Sequence, residues 1–187
     1  MSTRYFRVDV LMECKPLANR WVSEQWQPSA VLPIAEIAVA DVPPGNGPRA
    51  TPVRVDTASA PANPAAIWCF PGMLLELHRS EAEGLFLNIT SDTPKVFVMW
   101  RPAEMMDDTL PVPAVQPEIV TVSYNQAGRF MDGGERVDNV PMPDTILAWI
   151  KPFVAEHYKP EPRKKVKRND PFKDGAFVRD KLPHEKQ

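Results

Sequence analysis

Residues 73–101 read MLLELHRSEAEGLFLNITSDTPKVFVMWR, and the architecture of the chain turns on this stretch. MLLELH and LFLNIT are apolar runs on either side of RSEAEG, and KVFVMWR follows the turn-forming SDTP. Run length, β-branched content and the polar residues between the runs predict a three-stranded antiparallel meander. Met73, Leu75 and Leu77 share one face of its first strand. The third strand turns inward either Phe97 and Met99 or Val96, Val98 and Trp100.

The segments before the meander read the same way. RYFRVDVLM alternates, with Phe6, Val8, Val10 and Met12 on one side and Tyr5, Arg7 and Asp9 on the other, as in a half-buried strand. NRWVSEQWQP predicts another strand, with Val22, Glu24 and Trp26 opposite Trp21, Ser23 and Gln25. AVLPIAEIAVADV predicts strand, bulge, strand, because Pro33 interrupts it. Residues 43–65 are a proline- and alanine-rich loop holding one short strand near Pro52–Asp56, and MMDDTLPVPAVQP is a second loop.

After the strand IVTVSY, the stretch 123–143, SYNQAGRFMDGGERVDNVPMP, predicts a short helix over QAGRFMD capped by Asn125. Gly133-Gly134 supplies the positive φ that ends it, and ERVDNVPMP is extended. Pro143 then suits the first helical position and Asp144 the positive helix end. Ile146, Leu147, Trp149, Ile150, Phe153, Val154 and His157 recur at three- and four-residue steps, so one amphipathic helix spans about 143–158. Pro152 predicts a kink or break in it.

These elements give a mainly β, α+β fold: a single antiparallel sandwich or partly closed barrel of seven to nine strands, one short helix and one C-terminal amphipathic helix. Crossover helices are missing from this reading, which argues against a parallel β-α-β plan. Proline, at 22 of 187 residues, is about twice its usual ~5% share and favours short strands and ordered loops. The domain is expected to cover 1–158, followed by a basic, proline-containing tail at 159–187. The net charge of −2 is uneven. The tail carries ten Lys/Arg against five Asp/Glu, and the body twelve against nineteen, or +5 and −7. Such a tail suits an anionic partner.

Chemistry is sparse. Cys14 and Cys69 lack CxxC spacing and read as reduced, largely buried thiols of a cytoplasmic protein. The N-terminus shows no signal-peptide h-region, and no apolar run reaches membrane-spanning length. Three dispersed histidines give no metal signature, and no nucleophile–base motif or phosphate loop occurs. No catalytic, cofactor or metal residue is assigned. The candidate partner-binding residues are Arg20, Trp21 and Trp26, where a Trp beside Arg suits an interface; His78 and Arg79, at a polar turn; and Arg163, Lys164, Lys165, Lys167 and Arg168 in the tail. Basic residues without interleaved aromatics point to a protein partner over nucleic acid.

The order of NRWVSEQW, AVLP, LELHRSEAEGLFLNITS, KVFVMWR, VTVSYNQAGRFMDGGERVDNVPMP, AWIKPFVAEHY and KPEPRKKVKR resembles an uncharacterised bacterial domain-of-unknown-function family over most of residues 4–172. Its members are encoded near molybdenum- or tungsten-dependent formate dehydrogenases. The resemblance implies a non-enzymatic accessory protein acting by protein–protein contact in assembly or maturation of such an enzyme. Some members carry the label molybdopterin-guanine dinucleotide biosynthesis protein A, which implies as the alternative an enzyme or carrier acting on that cofactor. Residues 1–30 hold neither the Gly-rich LAGG-type loop nor the RMG-lysine segment of that nucleotidyltransferase family, and the strand pattern differs from its parallel α/β fold.

Overall fold

The computed structural model describes residues 3–42, 51–55, 66–103 and 113–160. Most of the 43–65 loop, the centre of the second proline-rich loop and all of 161–187 lie outside these residues. Half of the described residues are in strands: β1 (Thr3–Pro16), β2 (Glu24–Ile37), β3 (Val53–Val55), β4 (Ala66–His78), β5 (Lys95–Pro102), β6 (Val115–Thr121) and β7 (Arg136–Pro141). Three α-helices, α1 (Ala82–Ile89), α2 (Tyr124–Asp132) and α3 (Asp144–His157), join 3-10 turns at Val39–Asp41 and Arg79–Glu81.

The strands form one curled sheet in the order β2-β1-β4-β6-β5-β7, with β3 added to the first half of β4. The predicted meander is not there. LFLNIT is helical, β5 does not pair with β4, and β6 lies between them, parallel to β4 through Leu75 and Val120. The sheet is therefore mixed, with a helical crossover that the sequence reading had argued against. Leu85, Leu87 and Ile89 alternate as a strand would, but Ala82, Leu85, Phe86 and Ile89 also fit one helix face. Tertiary contacts decide. Gly84 and Asn88, one turn apart, are both buried, while Leu87 is left 46% exposed.

The concave side of the sheet carries the core. Phe6, Val8, Val10 and Met12 of β1 alternate inward as expected. In β4 the buried positions change phase, from Trp68 and Phe70 to Met73, Leu75 and Leu77. The change is made by a bulge at Pro71-Gly72: Val8 pairs with Met73 and Val10 with Phe70. Gly72 takes φ +73° there, and its N–H donates to Asp9 Oδ1 at 2.8 Å. Two more bulges skip Ser29 and Ile34 of β2 against β1. Each adds twist and bend, which helps the sheet curl.

Helix α3 lies on one end of the concave face. Ile146, Trp149, Ile150, Phe153 and Val154 are buried, and Trp149 meets Phe6 edge-on at 5.2 Å. The helix passes through Pro152 as one element, so of the kink or break expected there the break does not occur. Pro152 and Ala148 are both exposed, so the carbonyl left without its i+4 amide faces solvent. Pro143 is the N-cap, one residue before the position expected, and Asp144 opens the helix. On the convex side, Phe97 meets Tyr124 of α2 at a tilt, with ring centres 5.1 Å apart, and residues 96–100 of β5 are buried on both faces, so the expected choice between two inward sets does not arise.

Helix α2 begins two residues earlier than read. Ser123, not Asn125, is its cap, its Oγ accepting from the Gln126 N–H at 3.2 Å. At the other end Gly134 N–H bonds to Met131 O and Glu135 N–H to Phe130 O, both at 3.0 Å. This is a Schellman motif, and its left-handed residue is Gly134 at φ +82°, while Gly133 keeps a right-handed φ of −76°. Gly134→Ala should therefore cost about 1 kcal/mol in a urea unfolding titration, and Gly133→Ala less. A larger loss at Gly133 would contradict this cap.

Candidate functional site

The two ends of the strand order, β2 and β7, approach each other across the mouth of the curled sheet. Among the described residues no backbone hydrogen bond joins them. This open seam holds a cleft of about 530 Å³. Its walls come from the loop before β2 (Leu17, Asn19, Val22), the start of β2 (Glu24 to Gln27), Trp100, Val115 and the start of β7 (Arg136 to Asp138).

Each wall is fixed locally. Leu17 N–H bonds to Ser23 O and Trp21 N–H to Asn19 Oδ1, both at 2.9 Å, so residues 17–23 form a tied loop and not the first half of a strand as predicted. Strand pairing starts only at Glu24, opposite Pro16. Trp26 is half-buried against the core, its indole N–H donating to Glu24 Oε1 at 2.9 Å. Trp100, buried, donates to Asp138 Oδ2 at 2.7 Å. The Arg136 guanidinium lies 5.2 Å from the Trp100 ring centre, and Arg20 lies 5.5 Å from that of Trp21. Trp21 is 84% exposed, with Val22 at 49% and Leu17 at 37% beside it. Of the two tryptophans named from the sequence, Trp26 packs and Trp21 projects.

The remaining candidates lie elsewhere. His78 pairs with Thr3 at one end of β1, whereas Glu24 pairs with Pro16 at the other. The length of β1 therefore separates His78 and Arg79 from the Trp21 loop, a path of about 40 Å along the strand at ~3.3 Å per residue. The His78 Nε2 lies 2.8 Å from Glu76 Oε2. Glu81, at the end of the Arg79–Glu81 turn, faces α2, accepting from Ser123 Oγ at 2.7 Å and from Arg129 Nη2 at 2.6 Å. His157 packs edge-on against Phe153 at 4.4 Å. Arg163, Lys164, Lys165, Lys167 and Arg168 lie outside the described residues. Leu17, Val22, Trp100, Arg136 and Asp138 were missed by sequence reasoning. Three separate segments supply them, and only the curl brings them together.

Both cysteines are free and half-buried, less covered than expected. Burial, with the Glu24 carboxylate accepting from Sγ at 3.3 Å, pushes the Cys14 thiol up to about 11. Burial and the nearby Asp9 charge raise Cys69 as well. Near neutral pH both are therefore thiols, the poorly nucleophilic form. Among the described residues no group of three or more His, Cys, Asp or Glu could hold a metal, and no helix is long and apolar enough to cross a membrane.

No curated protein and no solved structure matches the chain. A family model described as a protein of unknown function, DUF3305, matches residues 7–167, which takes in both walls of the cleft, all three helices and the basic run up to Lys167. The chain belongs to the DUF3305 family.

Proposed function

We propose that this protein is a non-enzymatic docking module that holds a protein partner at the seam between β2 and β7. The observation that carries the reading is Trp21, 84% exposed on a tied loop beside Leu17 and Val22 at the lip of the cleft. A large aromatic with few rotatable bonds loses little entropy on binding and gains much from desolvation, which is why Trp and Arg dominate interface energetics. The process served is assembly or maturation of a molybdenum-containing formate dehydrogenase. That part rests on the family resemblance in the sequence. A molybdopterin dinucleotide carrier fits the cleft poorly. Its lining offers phosphates one guanidinium, Arg136, beside the carboxylates of Glu24 and Asp138.

The test is affinity capture from native cells with wild-type and Trp21→Ser baits. Wild-type bait should retain a formate dehydrogenase subunit or maturation factor. Trp21→Ser, folded by circular dichroism, should lose at least about tenfold of it, the size of a hot-spot truncation. Equal recovery by the two baits would remove the cleft as the docking site. Recovery of an unrelated partner would remove the formate dehydrogenase assignment alone.

A further inference from the structure

We infer that the convex face of β3, β4, β1 and β2 is a second docking surface, which seats the apolar side of an amphipathic helix from a partner protein. This surface is separate from the seam and does not rest on the docking reading above.

The strand registers define it. Val53 pairs with Cys69, Cys69 with Leu11 and Leu11 with Ala30, so four apolar side chains form one row across four strands. They point away from the core, because Phe6, Val8, Val10 and Met12 take the concave side of β1 and Leu11 has the opposite phase. Val55 and Ile67 widen the row on one side, and Leu32, two residues beyond Ala30, widens it on the other. None of these side chains is buried, and Val53, Val55 and Leu32 are exposed. An antiparallel sheet with one solvated face turns polar residues outward. β1 keeps that rule at Arg7, Asp9, Glu13 and Lys15. It breaks the rule at Leu11, where the neighbouring strands also turn apolar residues outward.

Size and precedent select the occupant. Strands lie ~4.8 Å apart, so the row is about 14 Å long, and one residue pair on either side makes a strip on the order of 300 Å². A stable interface between two copies takes about 800 Å² from each, and two convex faces touch over less than their full width. The strip is made by side chains of the face and not by a strand edge, so it does not call for an added strand. A helix is about 10 Å across and rises 5.4 Å per turn, so about three turns cover the strip. The same face already carries a helix on its other half, where Phe97 of β5 meets Tyr124 of α2 and Ala127 of α2 is fully buried. A helix over β1 and β4 would extend the layer that α2 begins.

The experiment puts a photo-cross-linking benzoylphenylalanine in place of Val53 in one full-length protein and of Leu32 in another. Native cells are irradiated and the cross-linked peptides are sequenced by mass spectrometry. Both positions should capture one segment of one partner, with apolar residues at three- and four-residue steps over about three turns. That segment, synthesised, should gain helical circular dichroism on binding the full chain. Val53→Lys and Leu32→Lys should each weaken it at least about tenfold by fluorescence anisotropy, and Trp21→Ser should leave it unchanged. Cross-links between two copies of this chain, cross-links to residues 161–187, a captured segment without helical periodicity, or no capture would each overturn the inference. So would an affinity that falls with Trp21→Ser and not with the two lysine variants.

Discussion

Asn88→Ala should remove about 3–5 kcal/mol of stability in a denaturant titration, a large share of the ~5–15 kcal/mol typical of a domain. Asn88 is fully buried in α1. Its Nδ2 donates to Lys95 O and Val122 O, each at 2.7 Å, and its Oδ1 accepts from Lys95 N–H at 2.9 Å. One side chain thus satisfies backbone groups at the start of β5 and just beyond the end of β6, where α1 crosses above them. Alanine leaves three partly or wholly buried polar groups unpaired, at ~1–3 kcal/mol each. Asn88→Asp should be no better, because it turns a carboxylate oxygen toward two carbonyls. A loss under about 1 kcal/mol in the alanine variant would mean that water takes over these bonds and the clamp is dispensable.

Gly84→Ala is expected to cost about 3 kcal/mol, although alanine is the better helix former. A Cβ at Gly84 would lie 2.2 Å from Ser123 Oγ and 3.0 Å from the Asn125 backbone N. Neither neighbour can yield cheaply. Ser123 Oγ caps α2 and also donates to Glu81, and Asn125 N belongs to the first turn of α2. Gly128 in α2 is the control, since a Cβ there meets nothing within 4 Å. Gly128→Ala should be neutral or stabilising by up to about 1 kcal/mol. Thermal melts of the two variants give the comparison, and similar melting points would show that α1 and α2 shift apart freely.

What could be read in advance follows the range of the forces involved. The alternation of Phe6 to Met12 and the three- and four-residue spacing of Ile146 to Val154 are local patterns tied to a large apolar face, and both elements form where expected. The extended Arg136–Pro141 segment and the Gly-Gly stop of α2 were legible for the same reason, apart from which glycine carries the positive φ. LFLNIT was not legible, because its apolar run satisfies either period. Its Gly84 and Asn88 are explained only by Ser123, Lys95 and Val122, residues up to 39 positions away. Pro71-Gly72 reads as a strand end, yet it is a bulge inside a 13-residue strand, because Asp9 of β1 supplies the acceptor for the Gly72 amide. Within the site, a Trp beside Arg marked Trp21 as an interface candidate, although the strand expected to carry it begins only at Glu24. The cleft could not be read, since it exists only where β2 and β7 meet.

The bulges at Ser29 and Ile34 bend β2, but they also change what β2 offers to other molecules. Leu32 and Ile34 are 42% and 53% exposed along this outermost strand, and a long, flat, apolar edge of that kind is a template for amyloid-like self-association. Pro28 and Pro33, each next to a bulge, lack amide hydrogens, and the two kinks break the straight run a neighbouring copy would need. Over its outer two-thirds β2 is thus protected from sheet-to-sheet aggregation, and the unprotected part, Glu24 to Gln27, is the part that lines the cleft.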